Sequence, residues 1–192
     1  MTEPGSLVIA IPSWIDELIE AHGPLADEAD AMRLTIALSR ENVERGGGPF
    51  GALVCADGQV IAGGVNRVLD CGLSIAHAEI IALMRAQQRI QTGPRATGPL
   101  TLFASTEPCC QCFGAVVWSG VSRLVCGAYT ADAEAIGFDE GPKPDAWAKA
   151  LETRGVSVSL GVCSEDARRV LEDYARRGGT IYGLRSPSLN DD

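Results

Sequence analysis

The sequence predicts an α/β fold of three layers, a central sheet covered by helices on both faces. Two observations carry the prediction. A β-hairpin signal stands near residue 57, and beyond it helical segments alternate with short β-rich runs, an order that lays helices against a sheet. The length of 192 residues suits one core and does not require two. With 46% hydrophobic and 21% charged residues, the composition is that of a globular protein and excludes a disordered or fibrous one.

The elements follow in chain order. "SWIDELIEA" at 13–21 is a short candidate helix. From Leu25 to Val43, the residues Leu25, Ala29, Met32 and Ile36 recur three or four apart, and Asp27 and Glu28 complement the dipole of the first turn, which predicts an amphipathic helix. "FGALVCADGQVIAGGVNRV" then holds two β-rich runs joined at Asp57-Gly58, a strong hairpin signal for neighbouring antiparallel strands. Ser74 is a candidate cap for a helix over about 76–91 that "TGP" stops, and "LTLFAST" reads as a buried strand. Pro108 suits a first helical position, so a helix is expected from Cys109 to Trp118, followed by the strand "RLVCGA". "DAWAKALETRG", "VSVSLGV" and "SEDARRVLEDYARRGG" read as helix, strand, helix. No repeat, linker or low-complexity stretch divides the chain, so 1–192 is read as one domain with an N-terminal extension over about 1–24 and a C-terminal tail over about 178–192.

Charge and cysteine usage narrow the function. A net charge of −9 disfavours a nucleic-acid partner, which needs several placed cations. Arg168, Arg169, Arg176 and Arg177 are interleaved with Glu165, Asp166, Glu172 and Asp173 and read as a solvated helix face. The apolar run from Leu7 to Ile11 has no basic leader and is cut short by Pro12, so no membrane span is expected there and the expected location is cytoplasmic. The seven cysteines are odd in number, and several lie in apolar runs where a reduced thiol behaves as a small hydrophobe. A disulfide framework is not expected.

The chemistry concentrates in two short stretches. A catalytic zinc site takes three protein ligands from His and Cys and keeps a position for water. Of the two histidines, His22 has no metal-type neighbours, whereas His77 in "AHAEI" opens a helix and can join Cys109 and Cys112 of "TEPCCQC". Cys110 points about 100° away around a helical turn and is read as a packed thiol. Helix starts favour thiolates, since their free N–H groups and dipole stabilise negative charge. Glu79, two residues after His77, is placed to take a proton from a water on the metal and return it to substrate and leaving group. H-x-E followed by P-C-x-x-C is the signature of zinc-dependent base deaminases. A purely structural zinc lacks its fourth ligand.

On these stretches the chain resembles the cytidine deaminase-like superfamily, and within it the bacterial guanine deaminases. The resemblance also runs through "GGPFGALV", "NRV", "AEAIGFDEGPKPDAW" and "IYG", of which "EAIGFDEGP" is the most discriminating. It implies a mixed five-stranded α/β/α sandwich, Zn2+ as cofactor, and hydrolysis of a cyclic amidine C–N bond, guanine and water giving xanthine and ammonia. His77, Cys109 and Cys112 match the ligands and Glu79 the proton shuttle. Asn66 and the backbone N–H of Ala78 match positions that hydrogen-bond the purine, and Phe50 and the face of His77 match its stacking walls. Asp139 and Glu140 match acids directed at the substrate; either can serve, with Glu140 favoured for proton transfer and Asp139 for orientation or loop structure. The resemblance further implies a homodimer that exchanges C-terminal segments, with Tyr182 covering the flat base. The alternatives are deamination of cytosine, an aminotriazine or a nucleoside, a tRNA adenosine deaminase, and a non-catalytic zinc module.

Overall fold

Five strands form one mixed sheet in the computed structural model, which describes residues 8–92 and 98–182. β1 (Gly51–Ala56) and β2 (Gln59–Val65) pair antiparallel. Between them Asp57 and Gly58 both take positive φ, 51° and 73°, the backbone of a tight hairpin turn and the one the Asp-Gly pair predicts. β3 (Leu100–Thr106) runs antiparallel to β1 and parallel to β4 (Arg123–Ala128), and β4 pairs in parallel with β5 (Ser157–Ser159). The strand order is β2-β1-β3-β4-β5. β3 and β4 coincide residue for residue with "LTLFAST" and "RLVCGA".

Period-two alternation divides the strand side chains between two cores. Leu53, Phe103 and Val125 enter one, beneath α1 (Trp14–His22), α2 (Glu28–Glu44) and α8 (Ser164–Arg176). Val54, Leu102, Ala104, Leu124 and Cys126 enter the other, beneath α4 (Ala78–Thr92), α5 (Cys110–Ser119) and α7 (Trp147–Glu152). The sandwich therefore has its expected three layers. Asp27 caps α2 by accepting the Asp30 N–H at 2.7 Å, and α1, within the stretch read as an extension, buries Ile15 completely in the first core. On α8 the residues Ala167, Val170, Leu171 and Tyr174 face inward, while Arg168, Arg169, Arg176 and Arg177 each pair with a carboxylate on the surface.

The structure departs from the sequence reading in three places. Two short helices, α3 (Val68–Cys71) and α6 (Thr130–Ala135), had no counterpart, because one turn is too short to show an apolar period. α4 starts at Ala78, four residues after Ser74; the intervening loop is instead tied down by Arg67 N–H to Ala76 O (2.8 Å) and His77 N–H to Ile75 O (2.8 Å). Pro108 precedes the α5 cap, which is Cys109, and the Cys110 N–H is taken by the distant Glu140 carbonyl at 2.8 Å. Residues 93–97, which include most of the "TGP" stop, and the tail beyond Tyr182 lie outside the described residues. No described helix is long and apolar enough to cross a membrane.

A glycine sets how closely α4 approaches the sheet. A Cβ at Gly64 of β2 would stand 2.4 Å from Ala78 O and 2.5 Å from Ala82 N, so only a bare backbone lets the first turn of α4 lie this low. That turn follows His77 and contains Glu79.

Candidate metal centre and substrate cavity

Element ends converge at one corner of the sheet. His77 enters α4 and Glu79 sits in its first turn, while β3 delivers Glu107 and Pro108 to Cys109, the cap of α5. His77 Nδ1 lies 3.4 Å from Cys109 Sγ and 3.5 Å from Cys112 Sγ, and all three donor atoms fall within 4.8 Å of one another. Tetrahedral zinc, with bonds of about 2.3 Å to sulfur and about 2.0 Å to nitrogen, requires N···S edges of about 3.5 Å. The donor set fits that ion. Cys110 stands outside the group, its thiol against Gly141, where a Cβ would come within 2.4 Å of Sγ. Its place in the site is to seat the acidic loop on α5, through its N–H and its side chain.

The electrostatics suit an ion at this point. A hydrogen bond from the Cys112 thiol, opposed by burial and helped by His77, holds Cys109 down to about 4. Cys112 is raised well above the usual thiol range by its bond to Cys109 and by burial. An ion that takes both sulfurs as thiolates releases any proton they carry. Burial works to lower His77, but its bond to Cys109 and the charges of Glu79, Cys109 and Glu140 raise it. Glu79 is buried, and desolvation followed by the Cys109 charge pushes its carboxyl up against the pull of His77. Burial, then Cys109, pushes Glu140 up to about 8, with Lys143 pulling it down. A divalent cation acts in the same downward direction on both acids.

A narrow cavity of about 60 Å³ opens above the donor atoms. It brings together all the side chains singled out from the sequence: Phe50, Asn66, His77, Glu79, Cys109, Asp139, Glu140 and Tyr182 line it, and Cys112 is buried beneath. Ala78 is fully buried and opens α4, where the first N–H groups have no intrahelical acceptor. The two neighbouring acids differ. Asp139 is exposed and its Oδ1 accepts the Gly141 N–H at 2.8 Å, a turn-forming bond, whereas Glu140 is buried. Asn66 Oδ1 accepts the Val68 N–H at 3.1 Å, which leaves its NH2 as the group available to a ligand.

Sequence reasoning missed Phe138 and Glu107. Phe138 packs edge-on against Phe50 and Tyr182, both with ring centroids 5.0 Å away, and forms part of the cavity wall. Only its position beside Asp139 hinted at this. Glu107 Oε2 accepts the Thr130 N–H at 3.0 Å and the Thr130 hydroxyl at 2.7 Å. Lys143 Nζ donates to Thr130 Oγ1 at 2.6 Å and to Pro108 O at 2.8 Å, binding the acidic loop to the β3–α5 corner. These contacts cross 13 to 35 positions of sequence and leave no local pattern.

Comparison with known proteins places this geometry. The zinc-binding region of cytidine and deoxycytidylate deaminases matches residues 26–128. Guanine deaminase of Bacillus subtilis is 36% identical over 110 residues, 57% of this chain and 69% of that protein. The structure of a guanine deaminase from Nitrosomonas europaea has a TM-score of 0.82 and 38% identity, covering 92% of this chain and 100% of that one. A variant of the protein NE0047 in complex with 8-azaguanine has a TM-score of 0.84 at 38% identity, with the same coverage of 92% and 100%.

Proposed function

Because this chain belongs to the cytidine and deoxycytidylate deaminase family, whose zinc-binding region spans residues 26–128, we propose that it acts on a free purine base, converting guanine and water to xanthine and ammonia. The observation that carries the reading is the buried carboxylate of Glu79 beside a His77-Cys109-Cys112 donor set, at the floor of a narrow cavity that Phe50, Phe138 and Tyr182 wall with flat rings. Walls made of flat aromatic rings suit a planar heterocycle.

Zinc held by His77, Cys109 and Cys112 would supply a Lewis acid that brings the pKa of water towards ~7. Glu79 takes a proton from the water that adds to C2 of guanine and delivers it to N3. Glu140 gives a proton to the departing amine and recovers one from the new C2 hydroxyl as the carbonyl forms, so the protons balance. The Asn66 NH2 and the Ala78 N–H orient the ring, Phe50 and the face of His77 bracket it, and Tyr182 covers it. Asp139 shapes the loop that carries Glu140.

Ammonia release across guanine, cytosine, an aminotriazine, guanosine and cytidine tests the substrate; a higher kcat/KM on cytosine or a nucleoside overturns the guanine reading. Salt-sensitive tRNA binding would instead support an RNA substrate. Deamination that disappears with Glu79→Gln excludes a non-catalytic zinc module.

The proposed assembly is a cytoplasmic homodimer in which the C-terminal segment beyond Tyr182 is exchanged and seals the neighbouring site, Tyr182 itself lining the cavity of its own chain. Light scattering that finds only monomers refutes it.

A further inference from the structure

We infer that Asn42, which lies behind the cavity in the last turn of α2, positions the walls that grip the base and so governs substrate binding. Asn42 is 1% exposed, and a side-chain amide at that depth is costly unless its donors are used. Its Nδ2 donates to Gly48 O at 2.8 Å and to Asn66 O at 3.0 Å, which employs both N–H bonds. The two carbonyls belong to the segments that carry Phe50 and Asn66. The Phe50 N–H donates to Gly48 O at 2.9 Å, and the Asn66 N–H donates to Phe50 O at 3.1 Å. One amide therefore closes a ring of hydrogen bonds through Gly48, Phe50 and Asn66.

The same ring reaches Tyr182. Gly48 is seated against the phenol so closely that a Cβ there would lie 2.0 Å from the hydroxyl oxygen. That hydroxyl is buried with no hydrogen-bond partner among the described residues, so packing against Gly48 and the Phe138 ring holds it. A shift of Gly48 would change the surface on which the Tyr182 phenol rests. Asn42 is thus the common support of three cavity residues supplied by three parts of the chain, and a loss of its amide loosens all three while leaving Glu79 in α4 and Cys109 and Cys112 at the start of α5.

The inference rests on Phe50 and Asn66 being purine contacts, and the experiment separates the two ideas. In zinc-loaded full chain, Asn66→Ala and Asn42→Ala are each expected to raise KM for guanine about tenfold, with kcat per bound zinc within about threefold of the parent. Asn42→Ser, which keeps one donor, is expected to fall between. A change that merely lowered the folded fraction would lower zinc content and apparent kcat without moving KM. If Asn66→Ala raises KM but Asn42→Ala does not, or Asn42→Ser does not where the alanine variant fails to fold, the inference is overturned. If Asn66→Ala leaves KM unchanged, the purine-contact reading fails and takes the inference with it.

Discussion

Replacing Gly64 with alanine tests whether the spacing between sheet and α4 controls the chemistry. The new Cβ would stand 2.4 Å from Ala78 O, 2.5 Å from Ala82 N and 3.1 Å from Ala82 Cα, where ordinary contact begins at 3.4 Å. All three obstructing atoms are backbone, so no rotamer change relieves them and the start of α4 must retreat by about 1 Å. Gly64 is not among the positive-φ glycines, so the strain is one of contact alone. Overpacking of this kind costs about 1–3 kcal/mol. For a chain of this length each kcal/mol lowers the melting temperature by about 2–4 °C. The functional effect should be larger, because Ala78 lies between His77 and Glu79 and a displacement of about 1 Å at reacting groups lowers turnover by about 100-fold. Calorimetry, zinc content and ammonia release from guanine measure the three consequences. Gly114→Ala in α5 is the control: its Cβ meets nothing within 4 Å, and alanine there should stabilise by about 0.4–1 kcal/mol. A Gly64→Ala protein with unchanged melting temperature and kcat within about twofold of the parent would refute the reasoning.

Three further outcomes are expected. Glu79→Gln should retain zinc and lower kcat by at least about 100-fold, since the amide keeps the shape and loses the proton acceptor; near-normal turnover would remove Glu79 from its role. Cys109→Ser and Cys112→Ser should lose zinc in a chelator competition while Cys110→Ser keeps it, and equal loss in all three would mean the ligand pair is misassigned. Burial works to raise the Asp16 carboxyl, but the hydrogen bond and charge of Arg85, helped by Arg89, hold it below its usual value. A carboxyl depressed on folding contributes stability that is present above its unfolded pKa and lost as pH falls through the folded one. Asp16→Asn should therefore cost stability at pH 7, at most about 1 kcal/mol for so exposed a pair, and lose less than the parent on acidification below about 4. Melting curves at the two pH values that changed in parallel for both proteins would contradict this.

The parts of the molecule that were legible beforehand are those written in local pattern. Asp57-Gly58 forces a tight reversal, the apolar runs of β3 and β4 are bounded by turn residues, and α2 repeats its apolar face over four turns. The spacing of Cys109 and Cys112, with Pro108 before them, announces a helix start that presents two sulfurs. Where local preference met a tertiary competitor, it lost. Ser74 is a good cap by type, yet the 72–77 loop folds on itself through Ala76 N–H to Leu73 O and His77 N–H to Ile75 O, is tied to Arg67 through Ala76 O, and carries His77 to the helix entry instead. Pro108 suits a first helical turn, yet the Glu140 carbonyl reaches the Cys110 N–H and the helix begins later.

Residue types and their short spacings pointed by themselves to the α/β layering, to the Cys109–Cys112 pair and to His77 with Glu79 two residues on, because a hairpin, a helix start and a ligand pair are each settled within a few residues of chain; the fold brought the histidine to the cysteines. Only the tertiary structure decided that Glu140 is buried and Asp139 exposed, that Phe138 and Glu107 belong to the cavity, and that Asn42 stands behind it. Those roles depend on which distant segments pack together. Burial and hydrogen-bond partnership are properties of that packing, and nothing in the neighbouring sequence encodes them.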